Sequence, residues 1–331
     1  MNGGGRAVRI ERHQRSTRSD WRGSSIAVTA QRLWFAVLAL AAVSVGCTAI
    51  QPPRQEASLP NIGPSSTPEP SIEPDLLPSP SVVMRADLAA KQRVTRSDGS
   101  EFTLRYSSAV FDPRWLELLF SAGWEHEEQA NVDSEALLFF TGPTYERQPG
   151  RNELGIALHG DLLLGNGEWR AGNNAAAAQR AYLAITSAGE LEFGYGRLLP
   201  ERRHRYRIFI GGLHALINTT LAAPETYKGV YSRLSLADVR IIYAGRADGQ
   251  LELIETADGL HVDDLRAFAA QQGYLAVYLP DHASKSRFIV PGIKLWSEQQ
   301  ALWVSGGDLS ITPLPFMLKA QPTSAWFSAQ P

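Results

Sequence analysis

Cysteine is nearly absent from this 331-residue chain: there is one, Cys47. A single thiol excludes an internal disulfide and any zinc site built on several thiolates. Net charge is also nearly absent, at −2, so there is no electrostatic reason to expect nucleic acid as the main partner. Local catalytic signatures are missing too. The chain has no G-x-S-x-G, no H-E-x-x-H, no Walker loop and no G-x-G-x-x-G after a strand. Hydrophobic residues are not scarce. They make up 44% of the chain, enough for a real core, which excludes disorder throughout.

The near-neutral total conceals unlike segments. Residues 1–32 carry seven Arg against Glu11 and Asp20, a local charge of +5 that leaves −7 for the rest. No charge occurs from Leu33 to Pro53, and Leu33–Val45 is almost wholly apolar. A basic head, an apolar run and then small residues describe an export signal. The run ends Val43-Ser44-Val45-Gly46-Cys47, and Gly before a lone Cys resembles a bacterial lipobox, in which the Cys is lipidated. Leu33–Ile50 is also long enough for an uncleaved membrane anchor, and simple secretion is the third alternative. In all three the Arg excess keeps the head inside. The expected location is therefore extracytoplasmic, with Cys47 the lipidation site and the membrane a partner through residues 1–50.

Residues 51–82 hold nine of the 20 prolines, among Ser, Thr and Glu. Proline fixes φ and removes donors, so this stretch reads as a semi-extended spacer. Residues 83–331 are left as one folded domain.

Within that domain short β runs dominate. Ser187–Glu190 and Ala247–Gln250 read as hairpin turns, the second carrying Asp-Gly. Asp263–Gln272 is the clearest helix: Leu265, Phe268 and Ala269 share a face, two Asp residues occupy its first turn, and Gly273 follows as a cap. Asp112–Ser121 and Ala175–Arg180 are weaker helix candidates. The pattern predicts an α+β fold, a mixed but mostly antiparallel sheet with few helices.

Several polar groups stand out. Glu125-His126-Glu127-Glu128 looks like a metal cluster, but neighbours in sequence point different ways, so a solvated acidic loop is the better reading. Arg202, Arg203, Arg205 and Arg207 surround His204 and suit either an anionic ligand or a solvated loop leading into a strand. Arg240 begins the apolar run Ile241-Ile242-Tyr243 and must find a partner or an anion. Asp281-His282 follows the apolar run Leu275–Leu279, where an acid/base pair or an ordinary turn after Pro280 would both fit.

In their order, these pieces resemble the phosphodiester glycosidase family, relatives of the mannose-6-phosphate uncovering enzyme with bacterial members linked to exopolysaccharide. The resemblance spans roughly residues 100–320. Ala136–Phe140 followed by Thr141-Gly142-Pro143 is similar to the family's strand and Asn-Gly-Gly-Phe-Phe-like turn. Gly211-Gly212 matches its glycine pair. Arg240-Ile241-Ile242-Tyr243-Ala244 with Asp248-Gly249 is similar to its Arg-Thr-Ala-Ile-Gly strand and the Asp-Gly beyond it. Leu279-Pro280-Asp281-His282-Ala283-Ser284 stands where the family has Leu-Asp-Gly-Gly-Gly-Ser. The resemblance implies a glycan partner, such as a surface sugar phosphodiester or exopolysaccharide; no cofactor is expected and the sequence names no metal. It assigns Arg240, Asp281 and His282 to catalysis, and Thr141, Gly142, Gly211, Gly212 and Arg207 to substrate binding. The turns that would carry the site are altered, with prolines at 143 and 280 in place of permissive glycines. A non-catalytic glycan-binding or scaffolding protein of the envelope is the alternative.

Overall fold

The computed structural model describes residues 83–123, 127–150, 152–229, 239–280, 285–300 and 313–329. Cys47, the apolar run and the proline-rich spacer lie outside them. Among the described residues, no helix is long and apolar enough to cross a membrane.

The chain opens with two long strands, β1 (Met84–Thr95) and β2 (Glu101–Phe111), then β3 (Leu116–Ala122), a single turn α1 (Glu127–Ala130) and β4 (Leu138–Thr141). Short strands follow: β5 (Tyr145–Arg147), β6 (Ile156–Leu158), β7 (Leu162–Leu163) and β8 (Trp169–Arg170). Then come α2 (Asn174–Ala177), β9 (Ala181–Thr186), β10 (Leu191–Tyr195), a 3₁₀ turn (Pro200–Arg205) and β11 (Tyr206–Asn218). The remainder comprises β12 (Val239–Gly245), β13 (Leu251–Leu260), α3 (Val262–Gln272), β14 (Ala276–Leu279), β15 (Phe288–Ile289), β16 (Phe316–Pro322) and α4 (Ser324–Ser328).

The large sheet runs β1-β2-β13-β12-β14-β11-β7-β8, with the β9–β10 hairpin paired to β11. A second sheet runs β15-β4-β16-β3, and β5 pairs with β6. Every pairing among the described strands is antiparallel. The α+β class is as expected. The parallel component of a mixed sheet does not occur among these strands.

Side-chain alternation divides the core into layers. On β12, Ile241 and Tyr243 enter the main core with Phe140, Phe316 and Leu318 of the second sheet. Ile242 and Ala244 face the other way, where Leu265, Phe268 and Ala269 of α3 cover them. These are the three helix residues expected on one face. Gly273 ends α3 at φ +68°, the left-handed conformation in which glycine avoids the Cβ penalty.

Two sequence expectations need correction. Asp112–Ser121 is not a helix: Leu116–Ala122 forms β3, because Leu116 and Leu118 reach the core at strand spacing and seven residues of β16 pair with it. Long-range pairing overrides the helical preference of Leu and Glu. Glu127 is not solvated. It is 5% exposed and lies 3.5 Å from Arg287 Nη2, so the buried guanidinium holds it inside; Glu125 and His126 lie outside the described residues.

Candidate active site

Antiparallel register brings several chain segments to one end of the large sheet. Tyr243 pairs with Tyr278, so β12 begins where β14 ends. On the other side of β14, Leu279 pairs with His214 of β11. The loop after β4 joins this end through Thr144, whose hydroxyl donates to the Pro280 carbonyl. β9 arrives with Ala181 paired to Leu213, which sets Arg180 beside His214.

Four polar side chains gather there. His159 Nε2 lies 3.2 Å from Glu146 Oε1, and its Nδ1 lies 3.4 Å from Arg180 Nη2. A guanidinium only donates, so Nδ1 is the acceptor and the ring proton sits on Nε2 toward the carboxylate. Arg180 is 4% exposed and His214 2%, whereas the Glu146 side chain is 61% exposed. The array therefore runs from solvent into the interior. Burial pulls Arg180 below its ordinary pKa, opposed by Tyr227 and Glu146. Burial also pushes His214 down to about 4, with the Arg180 guanidinium adding repulsion. His214 is thus neutral at pH 7. Its Nδ1 sits 3.4 Å from the Gly229 carbonyl, and a carbonyl only accepts, so Nδ1 carries the proton.

Glycine backbones pack beneath this array. A Cβ on Gly160 would lie 2.0 Å from Gly212 N, and one on Gly172 would lie 2.3 Å from Gly160 C. Gly212 itself has φ +79° where β11 slips register. The Asp161 carboxylate accepts from Gly172 N and Leu198 N, both at 3.0 Å. The Asp161 carbonyl accepts from Gly211 N at 2.8 Å. The His159-Gly160-Asp161 segment is thereby stapled to β11.

The residues expected from the sequence are placed as follows. Gly211 and Gly212 form part of this glycine floor. Thr141 is buried, and its hydroxyl donates to the Lys285 carbonyl at 2.6 Å and accepts from Arg287 N at 2.8 Å. Gly142 lies so close to Phe316 that a Cβ would meet the ring at 2.3 Å. Arg207 is turned inward, donating to the Leu116 and Pro113 carbonyls. Arg240 opens β12, a central strand, and donates to the Ala257 carbonyl at 3.2 Å. A cavity of about 350 Å³ adjoins Ala257, lined also by Ser107, Glu255 and Lys294. Asp281 and His282 lie outside the described residues. No group of three or more His, Cys, Asp or Glu is arranged for a metal among the described residues.

Glu146, His159, Arg180 and His214 were not singled out from the sequence. One signal was available: His214 interrupts the apolar run Phe209–Ile217 just beyond the glycine pair. Glu146 lies in β5, His159 just beyond β6 and Arg180 just before β9, and they meet only through pairing.

No family model and no curated protein matches this sequence. Solved structures do match. The zebrafish N-acetylglucosamine-1-phosphodiester alpha-N-acetylglucosaminidase catalytic domain, auto-inhibited by its pro-peptide, superposes with a TM-score of 0.52 at 15% identity. The match covers 73% of this chain and 84% of that one. A hypothetical protein from Synechocystis gives a TM-score of 0.38 at 10% identity, over 70% of this chain and 61% of that one. The first likeness shows a shared fold.

Proposed function

We propose that this chain is a phosphodiester glycosidase-like protein of the cell envelope, held at the surface by its N-terminal segment and acting on a sugar phosphodiester. The observation that carries the reading is the buried guanidinium of Arg180 beside the His159–Glu146 pair, in a fold shared with a phosphodiester glycosidase domain. A guanidinium in a dry site neutralises phosphate charge as the leaving group departs. Arg240, which opens β12 and donates to the Ala257 carbonyl, is the second candidate cation. His159 holds the Glu146 carboxylate at the rim, where it takes the proton of the attacking water. Asp281 and His282, next along the chain from Pro280, are the alternative proton acceptors.

The test is release of free sugar from a hexose-1-phosphate methyl ester by the full chain. Arg180→Ala lowers the rate by about 10²–10³-fold, the usual effect of removing one charge-stabilising donor. Undiminished turnover in Arg180→Ala would refute the assignment. A second reading, glycan binding without chemistry, is favoured by the Thr141 hydroxyl, which is already committed to backbone partners. Saturable binding of the same ester with no sugar release would establish it.

A further inference from the structure

The basic cluster at residues 202–205 lies away from the chemistry proposed above. Residues 200–205 form a 3₁₀ turn in which Arg202, His204 and Arg205 are exposed and Arg203 is half-buried. The turn is anchored from behind. Ser187 N donates to the Arg205 carbonyl at 2.8 Å, and the Ser187 hydroxyl donates to the His204 carbonyl at 3.1 Å. In such a turn side chains at i and i+3 eclipse, so Arg202 and Arg205 share one edge, roughly 6 Å apart along the axis.

Trp169 stands beside them. It belongs to β8, the edge strand of the large sheet. It is 46% exposed, and the Arg203 guanidinium lies 4.9 Å from its ring centroid. The nearby carboxylate Glu168 is occupied by Arg170 at 2.6 Å. Arg202, Arg203 and Arg205 form no ion pair with any described carboxylate. Among the described residues these three cations thus have no carboxylate partner, on a body that is otherwise acidic, with −7 beyond residue 32.

We infer that Trp169, Arg202, Arg203 and Arg205 form a docking surface for an acidic polysaccharide. The cations meet its carboxylates or phosphates, and the indole takes the C–H face of one sugar ring. A single-stranded nucleic acid is the poorer fit, because such strands are tracked by successive aromatic platforms, and only one indole is present here. A membrane is poorer still, since no row of apolar side chains flanks the cations. Arg207 is excluded from the surface because its guanidinium is bound to backbone carbonyls. The inference requires no chemistry at Arg180. It adds a place where a charged polymer is held while any reaction occurs elsewhere.

Binding of a galacturonate decamer to the full chain tests it, read by indole fluorescence and calorimetry at low salt. Neutral dextran and an oligothymidylate decamer serve as comparisons. The decamer binds, affinity falls steeply with salt, and dextran does not bind. Trp169→Ala and the triple variant R202Q/R203Q/R205Q each weaken binding by about tenfold or more. Their thermal unfolding is unchanged, because these side chains are exposed or surface-lying. Wild-type affinity in the triple variant would overturn the proposal. Oligothymidylate binding as tight as galacturonate, insensitive to Trp169→Ala, would overturn the glycan assignment in favour of nucleic acid. Hydrolysis of the small methyl ester does not need this surface, so the two proposals fail separately.

Discussion

Acidification tests the placement of His214 directly. The fold holds this imidazole neutral: burial is the main cause, and the Arg180 guanidinium faces it with positive charge. Its pKa falls from 6.5 to about 4. Between those values the unfolded chain takes up a proton that the native chain refuses. Unfolding free energy therefore falls as pH drops through the interval, and the loss levels off once the native ring also protonates. Integrated over the interval, one such group costs about 3 kcal/mol. The other charged groups near it, Glu146 through Arg180 among them, are common to wild type and a His214→Gln variant. Gln retains a donor for the Gly229 carbonyl and does not titrate. Urea unfolding of both proteins at pH 7, 5.5 and 4 isolates the imidazole as a difference of differences. Wild type should lose about 3 kcal/mol more than His214→Gln between pH 7 and 4. Equal losses would refute a buried, neutral His214 beside Arg180.

Three further expectations concern packing. Gly160→Ala drives a methyl group into the Gly211–Gly212 backbone, with contacts of 2.0–2.2 Å, and should cost about 3 kcal/mol or more in denaturant unfolding. Glu127→Gln leaves buried Arg287 without its carboxylate at 3.5 Å and should cost about 3 kcal/mol. The double variant Glu127→Leu/Arg287→Met should cost less, because it removes both charges from the interior. Gly273→Ala forces a Cβ into a left-handed residue at φ +68° and should lower stability by about 1 kcal/mol, seen as a lower melting temperature.

Much of the fold was legible in local pattern. The hairpin turns at 187–190 and 247–250 join β9 to β10 and β12 to β13. Helix α3 has the buried face and the glycine cap expected of it. The failures lie where partners decide. β1 is polar at half of its 12 positions and forms an edge strand by pairing with β2. β3 and β16 are strands because each lies against the other. Tyr206–Asn218 forms one strand across the Gly211–Gly212 pair, since the kink there shifts register without ending the strand.

The sequence by itself determined composition and local geometry: a charged head, an apolar run, a proline-rich stretch, and a β-rich domain with one amphipathic helix. These follow from periodicity, charge and the restricted φ of proline and glycine, all readable over short windows. Only the tertiary structure decided which polar residues meet. Glu146, His159, Arg180 and His214 sit on four segments spread over about 70 positions, and nothing in the neighbourhood of any one announces the others. Their convergence rests on the β5–β6, β9–β11 and β11–β14 registers. The same holds for Trp169 and Arg203, brought together where an edge strand meets a 3₁₀ turn. Registers are set by burial on both faces of a sheet, and burial is a property of the whole chain rather than of any window.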